Sequence, residues 1–130
     1  MSFAKIGTQE YKNLLADAYC AADIAAINVT PGQGVLNIGT VLARQDNGLY
    51  SAAAEADCVS TKDLVVLNED IDTTGEEVPV AAAYRNGRLL AEAVHLKDGA
   101  ALTAANKLAL RQQGILLKAG TGAGEVNNEI

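Results

Sequence analysis

The stretch VLNEDIDTTGEEVPVAAAYRNGRLLAEAV, residues 66–94, carries most of the information about the fold. An apolar run enters an acidic loop, a second apolar run leaves it, and the chain then reaches the pair Asn86-Gly87. Asn-Gly between apolar runs is a strong hairpin signal, because both central residues of a type I′ turn need positive φ. The stretch therefore predicts a small β-rich body in which Val78–Tyr84 and Leu89–Leu96 are the two arms of a hairpin.

The residues upstream of this stretch predict more short strands. Val35–Ala43 has the pattern of paired strands that break at Gly39, where a bulge or bend is expected. The residues at 46–48, Asp-Asn-Gly, predict a hairpin turn, with Leu49–Ala53 as the returning strand. Leu64–Leu67 is a short, wholly apolar run, which is typical of a strand buried on both faces. Several short strands with frequent turns indicate a mainly β domain, a small barrel or sandwich.

A helix is predicted near the C-terminus. Thr103 is its expected N-cap, because a threonine hydroxyl accepts a hydrogen bond from an otherwise unpaired backbone N–H. Gly114 fits the left-handed position after the last turn, and Ile115–Lys118 reads as a final strand. The apolar side of this helix is expected to consist of Ala104, Leu108 and Ala109.

The early chain allows two interpretations. Residues 11–22 place apolar side chains at helical spacing, which favours a short helix. Just after them, Ile24, Ile27 and Val29 raise the content of β-branched residues, which favours a strand over 22–30. The two patterns compete for the same part of the chain. The residues at helical spacing are Tyr11, Leu14, Leu15, Ala18, Tyr19 and Ala22.

Length and composition bound the class of protein. A chain of 130 residues is most simply one domain with a modest core. Apolar residues make up 49%, but only one Phe and no Trp are present, so the core must be built from small aliphatic side chains. We expect a neighbouring subunit to complete part of the apolar surface.

The net charge disfavours nucleic acid and membrane as partners, and the cysteines bear on the compartment. A net charge of −6 disfavours both phosphate backbones and anionic lipid surfaces, which need basic footprints. The first residues lack the apolar core of a signal peptide, and no apolar run approaches membrane-spanning length. Cys20 and Cys58 do not form a metal-ligand spacing, and we expect both thiols to stay reduced in the cytosol.

Residues that could carry chemistry are few. His95 is the only histidine, and no Gly-x-Ser-x-Gly turn delivers a nucleophile to it. Asp70–Gly75 resembles the opening of a calcium loop, but the twelfth position is Ala81 where a bidentate glutamate is required, so an acidic turn is expected instead. Neither glycine-rich run, at 32–34 or 120–124, lies between a strand and a helix as a phosphate loop does. We expect no catalytic residue, no metal site and no cofactor.

Four groups of residues, in chain order, form a pattern that covers roughly residues 6–118. The groups are Ile6-Gly7-Thr8-Gln9-Glu10-Tyr11-Lys12-Asn13-Leu14-Leu15-Ala16; Gly39-Thr40-Val41-Leu42 followed by Gly48-Leu49-Tyr50; Val66-Leu67-Asn68-Glu69-Asp70-Ile71-Asp72 before Val78-Pro79-Val80; and Leu102-Thr103 through Leu108, Leu110 and Gly114-Ile115-Leu116-Leu117. Together these groups resemble the head decoration proteins of tailed phages. The alanine-rich stretch 18–26 and the residues 119–130 depart from that family's pattern.

The resemblance implies a lambda-type decoration protein with a mainly β, β-tulip-like domain and one short α-helix. Such a protein is expected to form a homotrimer that binds the major capsid protein at local threefold positions of the expanded head. Its implied location is the outer capsid surface of the virion, after synthesis in the host cytoplasm. The resemblance implies no enzyme activity.

The chain is expected to divide into a flexible N-terminal arm at 1–9, a β-rich domain at 10–118 and a flexible tail at 119–130, because both ends lack apolar periodicity and are rich in small and polar residues. The resemblance implies that the arm binds the capsid. An arm of this kind can add as a strand to an exposed sheet edge of the capsid protein, where main-chain hydrogen bonds give affinity. The expected arm residues are Ser2, Phe3, Ala4, Lys5, Ile6, Gly7 and Thr8.

Two other classes of protein compete with this hypothesis. One is a free-standing β module that binds a protein or a glycan, such as a fibre or adhesion domain. The other is a small hydrolase or metal enzyme, for which His95 would be the natural centre. A glycan screen tests the first class, and metal analysis with mutation of His95 tests the second.

Overall fold

The computed structural model describes residues 22–118, in which strands dominate and one α-helix lies near the C-terminus. The prediction of a mainly β fold with one such helix is confirmed. Short 3₁₀ turns occupy Ala91–Ala93 and Lys97–Gly99. The strands are β1 (Asp23–Asn28), β2 (Val35–Leu36), β3 (Val41–Arg44), β4 (Tyr50–Ala52), β5 (Leu64–Leu67), β6 (Ile71–Asp72), β7 (Val80–Leu90) and β8 (Ile115–Lys118), and the helix is α1 (Ala104–Gln112).

The main sheet has β7 at its structural centre. Its strand order is β1-β7-β5-β3-β4, with every neighbouring pair antiparallel, while β8 joins the second half of β7 in parallel. A separate small sheet pairs β2 with β6. The sheet curls so that the chain just after β1 meets β4 at one bridge, between Val29 and Tyr50. Within residues 22–118, however, β1 and β4 themselves do not pair, and the sheet stays open rather than closing into a barrel.

Two apolar clusters lie on the two faces of this sheet. The helix-side cluster packs one face of β3, β5 and β7 against α1, β8 and the segment 91–96. The opposite-face cluster lies inside the curl and includes Val29, Leu42 and Tyr50. All four residues of β5 are buried, with Leu64 and Val66 in the first cluster and Val65 and Leu67 in the second. The prediction that β5 is buried on both faces is therefore confirmed.

The predicted hairpin at Asn86-Gly87 is wrong. β7 runs straight through this pair as one strand of 11 residues, and the expected second arm, Leu89–Leu96, instead ends the strand at Leu90 and turns. The physical reason is a change of pairing partner. Asn86 is the last residue of β7 paired with β1, and Gly87 is the first paired with β8, donating its N–H to the Gly114 carbonyl at 3.0 Å. Gly87 takes positive φ within the strand, at the position where the partner of β7 changes from β1 to β8, and not in a turn.

The other turn predictions are confirmed. Gly39 is buried with a φ of 94° and separates β2 from β3, so the chain breaks where a bend was expected. The turn at 46–48 joins β3 to β4 as an antiparallel pair, with Gly48 at positive φ. β1 confirms the strand predicted within 22–30. The helix predicted over 11–22 falls almost wholly outside the described residues.

The helix begins and ends as predicted, but its buried side is different. The Thr103 hydroxyl accepts from Asn106 N as part of a capping box, and Gly114 has a φ of 89°. Ala104 and Leu108 are exposed, so the expected apolar side is wrong apart from Ala109. The residues buried on α1 are Asn106, Ala109 and Leu110. The amide side chain of Asn106 is therefore buried at a position that the spacing of apolar residues does not identify.

Gly39 gives a test of this architecture. A Cβ at Gly39 would overlap the carbonyl oxygen of Ala93, and the positive φ would strain any L-residue. We expect Gly39→Ala to lower the free energy of unfolding by at least about 3 kcal/mol, measured by urea denaturation. Gly75→Ala is the matched control, since Gly75 has a φ of 102° with nothing within 4 Å of the added methyl. It should lose only about 1–2 kcal/mol, and equal losses would contradict the close approach at Gly39.

Candidate functional site

The predicted arm residues, Ser2 to Thr8, lie outside the described residues, as does Cys20. The structure does show where the chain leads into the body. Ala22, immediately before β1, is partly buried and packs against the helix-side cluster. β1 is an edge strand of the main sheet, so the chain reaches the body at the sheet's perimeter. The surface around β1 is therefore the part of the described structure most relevant to an arm.

The outer edge of β1 is open. Val29 N donates to the Pro79 carbonyl on the β7 side, and Thr30 N donates to the Tyr50 carbonyl on the opposite side, both at 2.9 Å. Backbone groups alternate in direction along an antiparallel strand, so every second residue of β1 faces away from β7. These residues are Ile24, Ala26 and Asn28. Within residues 22–118, no strand or loop pairs with the outward side of Ile24 and Ala26, whereas the bridge between Val29 and Tyr50 brings β4 against the Asn28 end of β1.

The opposite edge of the sheet, at β4, is covered. Thr30 N reaches the Tyr50 carbonyl, and the Gln33 side chain accepts from Ala52 N at 2.9 Å. The hydroxyls of Thr30 and Ser51 lie 2.7 Å apart. An open strand edge is a ready template for pairing with another chain. The loop at 30–34 removes that template at β4, whereas β1 keeps it.

An apolar strip adjoins the open edge. We use the name outer strip for Ile24, Ala26, Val78 and Val80. Ile24 and Ala26 lie opposite Tyr84 and Ala82 in the register of β1 with β7, which places them on the sheet face of the helix-side cluster. Ile24, Val78 and Val80 are 43%, 46% and 61% exposed. The helix side of the sheet is thus covered at its centre and bare at β1.

The acidic loop uses its oxygens on its own backbone. Asp70 accepts from Ile38 N at 2.7 Å, and Asp72 accepts from Thr74 N at 2.9 Å. The hydrogen bonds from the side chain and backbone of Thr74 hold the pKa of Asp72 below its usual value. Thr73 accepts from Gln33 N and donates to the Gly34 carbonyl. These contacts are those of the expected acidic turn. Across residues 22–118, no group of three or more His, Cys, Asp or Glu side chains is arranged to hold a metal ion.

His95 lines a cavity of about 470 Å³ beside the small sheet. Its main role is in the backbone: His95 N donates to the Gly39 carbonyl at 3.0 Å, and Val41 N donates to the His95 carbonyl at 2.9 Å. The ring Nδ1 lies 3.1 Å from the Leu96 carbonyl. The nearest hydroxyl lining the cavity, that of Thr40, donates to the Asn37 carbonyl at 2.7 Å. The described lining therefore assembles no nucleophile with the imidazole.

Sequence reasoning missed two polar clusters. In the first, Tyr50 donates to Asp63 at 2.6 Å, and Arg85 lies 3.9 Å from the same carboxylate. Burial, together with the hydrogen bond to Asp63 and its charge, raises the pKa of Tyr50 above its ordinary value. No sequence signal joins these residues, because β4, β7 and the loop before β5 bring them together from distant positions.

The second missed cluster ties α1 to the loop before β5. The side-chain amide of Asn106 donates to the carbonyls of Glu55 and Cys58, both at 3.1 Å. Gln113 accepts from Leu64 N at 2.9 Å and donates to the Lys62 carbonyl. Cys58 is buried and free, and burial raises its thiol pKa to about 11, so it is a packing residue with little thiolate character. Asn106 and Gln113 lie seven residues apart, a helical spacing that could have signalled an inward polar face.

Comparisons of this protein with family models, with curated proteins and with solved structures find no match. In the described part of the chain, the helices are too short and too polar to cross a membrane.

Replacing Asn106 tests the link between α1 and the loop. Asn106→Ala leaves the buried Cys58 carbonyl, the partly buried Glu55 carbonyl and one capping donor without their partner, and we expect the free energy of unfolding to fall by about 3 kcal/mol. Thr103→Ala removes only the cap and should lose about 1 kcal/mol. Urea denaturation measures both. Similar losses would mean that the bonds to Glu55 and Cys58 contribute little.

Tyr50 predicts a stability change at alkaline pH. Its folded pKa is raised, so its contribution is present below about pH 10, the unfolded value, and is lost as the pH rises through the folded pKa. Tyr50→Phe should lower the free energy of unfolding by about 1 kcal/mol at pH 8 and reduce the alkaline loss. Urea midpoints across this pH range measure the effect. Asp63→Asn keeps a hydrogen-bond acceptor without the charge, so its alkaline loss of stability should lie between those of the unmodified protein and Tyr50→Phe. If Tyr50→Phe loses as much stability at alkaline pH as the unmodified protein, Tyr50 is not the group responsible.

Proposed function

We propose that this chain is a capsid decoration protein of a tailed phage. It is a non-enzymatic protein that binds the outer surface of the expanded head at local threefold positions, as a homotrimer, and stabilises the head against internal DNA pressure. The observation that carries the proposal is the ordered series of resembling groups over residues 6–118, because each group alone has little specificity. The partner is the major capsid protein, and binding needs no cofactor.

The fold supports the proposal by placing the three groups that lie within residues 22–118 in one packed body. Gly39–Leu42 covers the bend before β3 and half of that strand, and Val66–Asp72 runs from β5 into β6. The C-terminal group spans α1 and β8, which pack on the helix-side cluster. Weak motifs that fall, within the described residues, on connected elements of one core are what a shared fold would produce.

The place where the chain meets the body supports an arm. Residues before Ala22 lead directly into an edge strand, so an arm can leave the body without crossing it. Nine extended residues span about 30 Å, enough to reach across a neighbouring protein. Strand addition by such an arm relies on main-chain hydrogen bonds, and three arms in one trimer raise the effective concentration of each. Binding only the expanded lattice then stabilises that lattice by mass action.

A glycan-binding module is less well supported by the described surface. Glycan sites of β modules commonly use exposed aromatic rings. The two tyrosines in the described part of the chain, Tyr50 and Tyr84, are 5% and 0% exposed. The acidic loop at 69–77 is largely exposed, which favours a protein partner over a phosphate backbone.

Removing the arm tests the proposal. We expect a chain lacking residues 1–9 to fold with the stability of the full chain and to lose co-sedimentation with expanded heads of the phage that encodes it. The full chain should co-sediment with expanded heads but not with unexpanded ones. Sedimentation of both chains with both kinds of head measures this. Retained binding of the shortened chain contradicts the role of the arm, and failure of the full chain to bind either head contradicts the function.

Point substitutions distinguish an arm that adds as a strand to the capsid protein from an arm that binds through its side chains alone. Ala4→Pro removes a backbone N–H, and Ala4→Ser, the matched control, keeps it. If the arm adds to a capsid strand, the proline variant should lose most of its binding and the serine variant little. Equal binding by the two variants contradicts strand addition. Mass measurement of the full chain in solution tests the trimer separately.

A further inference from the structure

The outer strip is a bare continuation of an otherwise covered face. On the helix side of the sheet, Val66 and Tyr84 are completely buried, while Ile24 and Val80 at the β1 margin are about half exposed. Ile24 lies opposite Tyr84, and Val80 precedes Tyr84 by four residues in β7, so the strip runs about 13 Å from Ile24 to Val80. Exposed apolar patches of this kind are typical of surfaces that another segment covers.

The chain itself points toward the strip. Twenty-one residues of the sequence precede Ala22, the residue immediately before β1. Ala22 packs against the helix-side cluster, so the chain arrives on the face that carries Ile24 and Ala26. No chain crossing or long connection is needed for the preceding residues to reach the strip.

The sequence of the preceding residues has a matching apolar side. On a helix of 3.6 residues per turn, five of the apolar residues between positions 11 and 19 fall within about 140° of arc, Asn13 and Asp17 fall on the far side, and Lys12 and Ala16 lie just beyond one margin of the arc. Nine helical residues are about 13 Å long, the length of the strip. The five residues are Tyr11, Leu14, Leu15, Ala18 and Tyr19.

We propose that residues 11–21 of the same chain cover the outer strip, with the apolar side of an amphipathic helix packed on Ile24, Ala26 and Val80. The residues 20–22 then form the turn back into β1. This contact fixes the base of the N-terminal segment on the body and leaves only the residues before position 11 to act at a distance. The inference concerns the free protein and does not rest on the proposed function.

A double-mutant cycle in the full chain tests the contact. One node is Leu14→Ala with Leu15→Ala, and the other is Ile24→Ala with Val80→Ala. If the two sets touch, the effect of the first on the unfolding equilibrium constant should shrink by about three- to tenfold when the second is present. Urea denaturation of the four proteins measures the coupling. All four changes shorten apolar side chains without adding charge, so each variant is expected to fold.

Control variants and dilution decide between occupants. Val35 and Leu108 are 62% and 53% exposed away from the strip, so Val35→Ala with Leu108→Ala should show no coupling to the Leu14 and Leu15 changes. Coupling that is independent of protein concentration over about a hundredfold range supports a contact within one chain. Coupling that disappears on dilution assigns the strip to a second copy and overturns the proposal. Strict additivity overturns it as well.

Thiol labelling gives a second reading that does not depend on stability. In a Cys20→Ser background, the only native cysteine left is the buried Cys58. Val80→Cys should react with a maleimide severalfold more slowly than Val35→Cys. Adding Leu14→Asp and Leu15→Asp should raise the rate at position 80 and leave the rate at position 35 unchanged. A rate at position 80 that does not respond to these charges contradicts coverage by residues 11–21.

Discussion

The uninterrupted run of β7 is the constraint on which the rest of the structure depends. This strand pairs with β1 and β5 along its first part and with β8 along its second. The change of partner falls between Asn86 and Gly87, where the chain must serve an antiparallel neighbour and then a parallel one. A turn at this pair would separate β8 and α1 from the sheet, and the helix-side cluster would lose one of its walls. The 11 residues of β7 therefore hold both ends of the domain together.

Local signals in the sequence predicted local structure well. Gly39, Gly48, Thr103 and Gly114 each act within a few residues of themselves, and each lies where its pattern indicated. The failures arose where distant residues decide. Asn86-Gly87 has strong turn chemistry, but hydrogen bonds to β1 and β8, about 60 and 30 residues away, outweigh it. Asn106 lies on the inward side of α1 because it bonds to loop carbonyls some 50 residues earlier, which no apolar pattern reveals.

The candidate surface was hidden from the sequence for the same reason. Ile24 and Val80 come to lie on one strip only through the register of β1 with β7, two strands separated by more than 50 residues. The alternation of Ile24, Ala26 and Asn28 is too short and too rich in alanine to distinguish an exposed side from a buried one. What the sequence did supply is the apolar spacing between residues 11 and 19, whose counterpart on the body becomes visible only when the sheet is assembled.

The two edge strands of the sheet, β1 and β4, differ in how far their outward backbone groups are occupied. At β4, Gln33 and Thr30 occupy the strand's outward groups with a side chain and a loop. Neither a proline nor a lysine protects β1, whose single charge is Asp23 at its start. An edge left open in this way is a template for a strand of another chain, and the residues before Ala22 join the body beside that same edge.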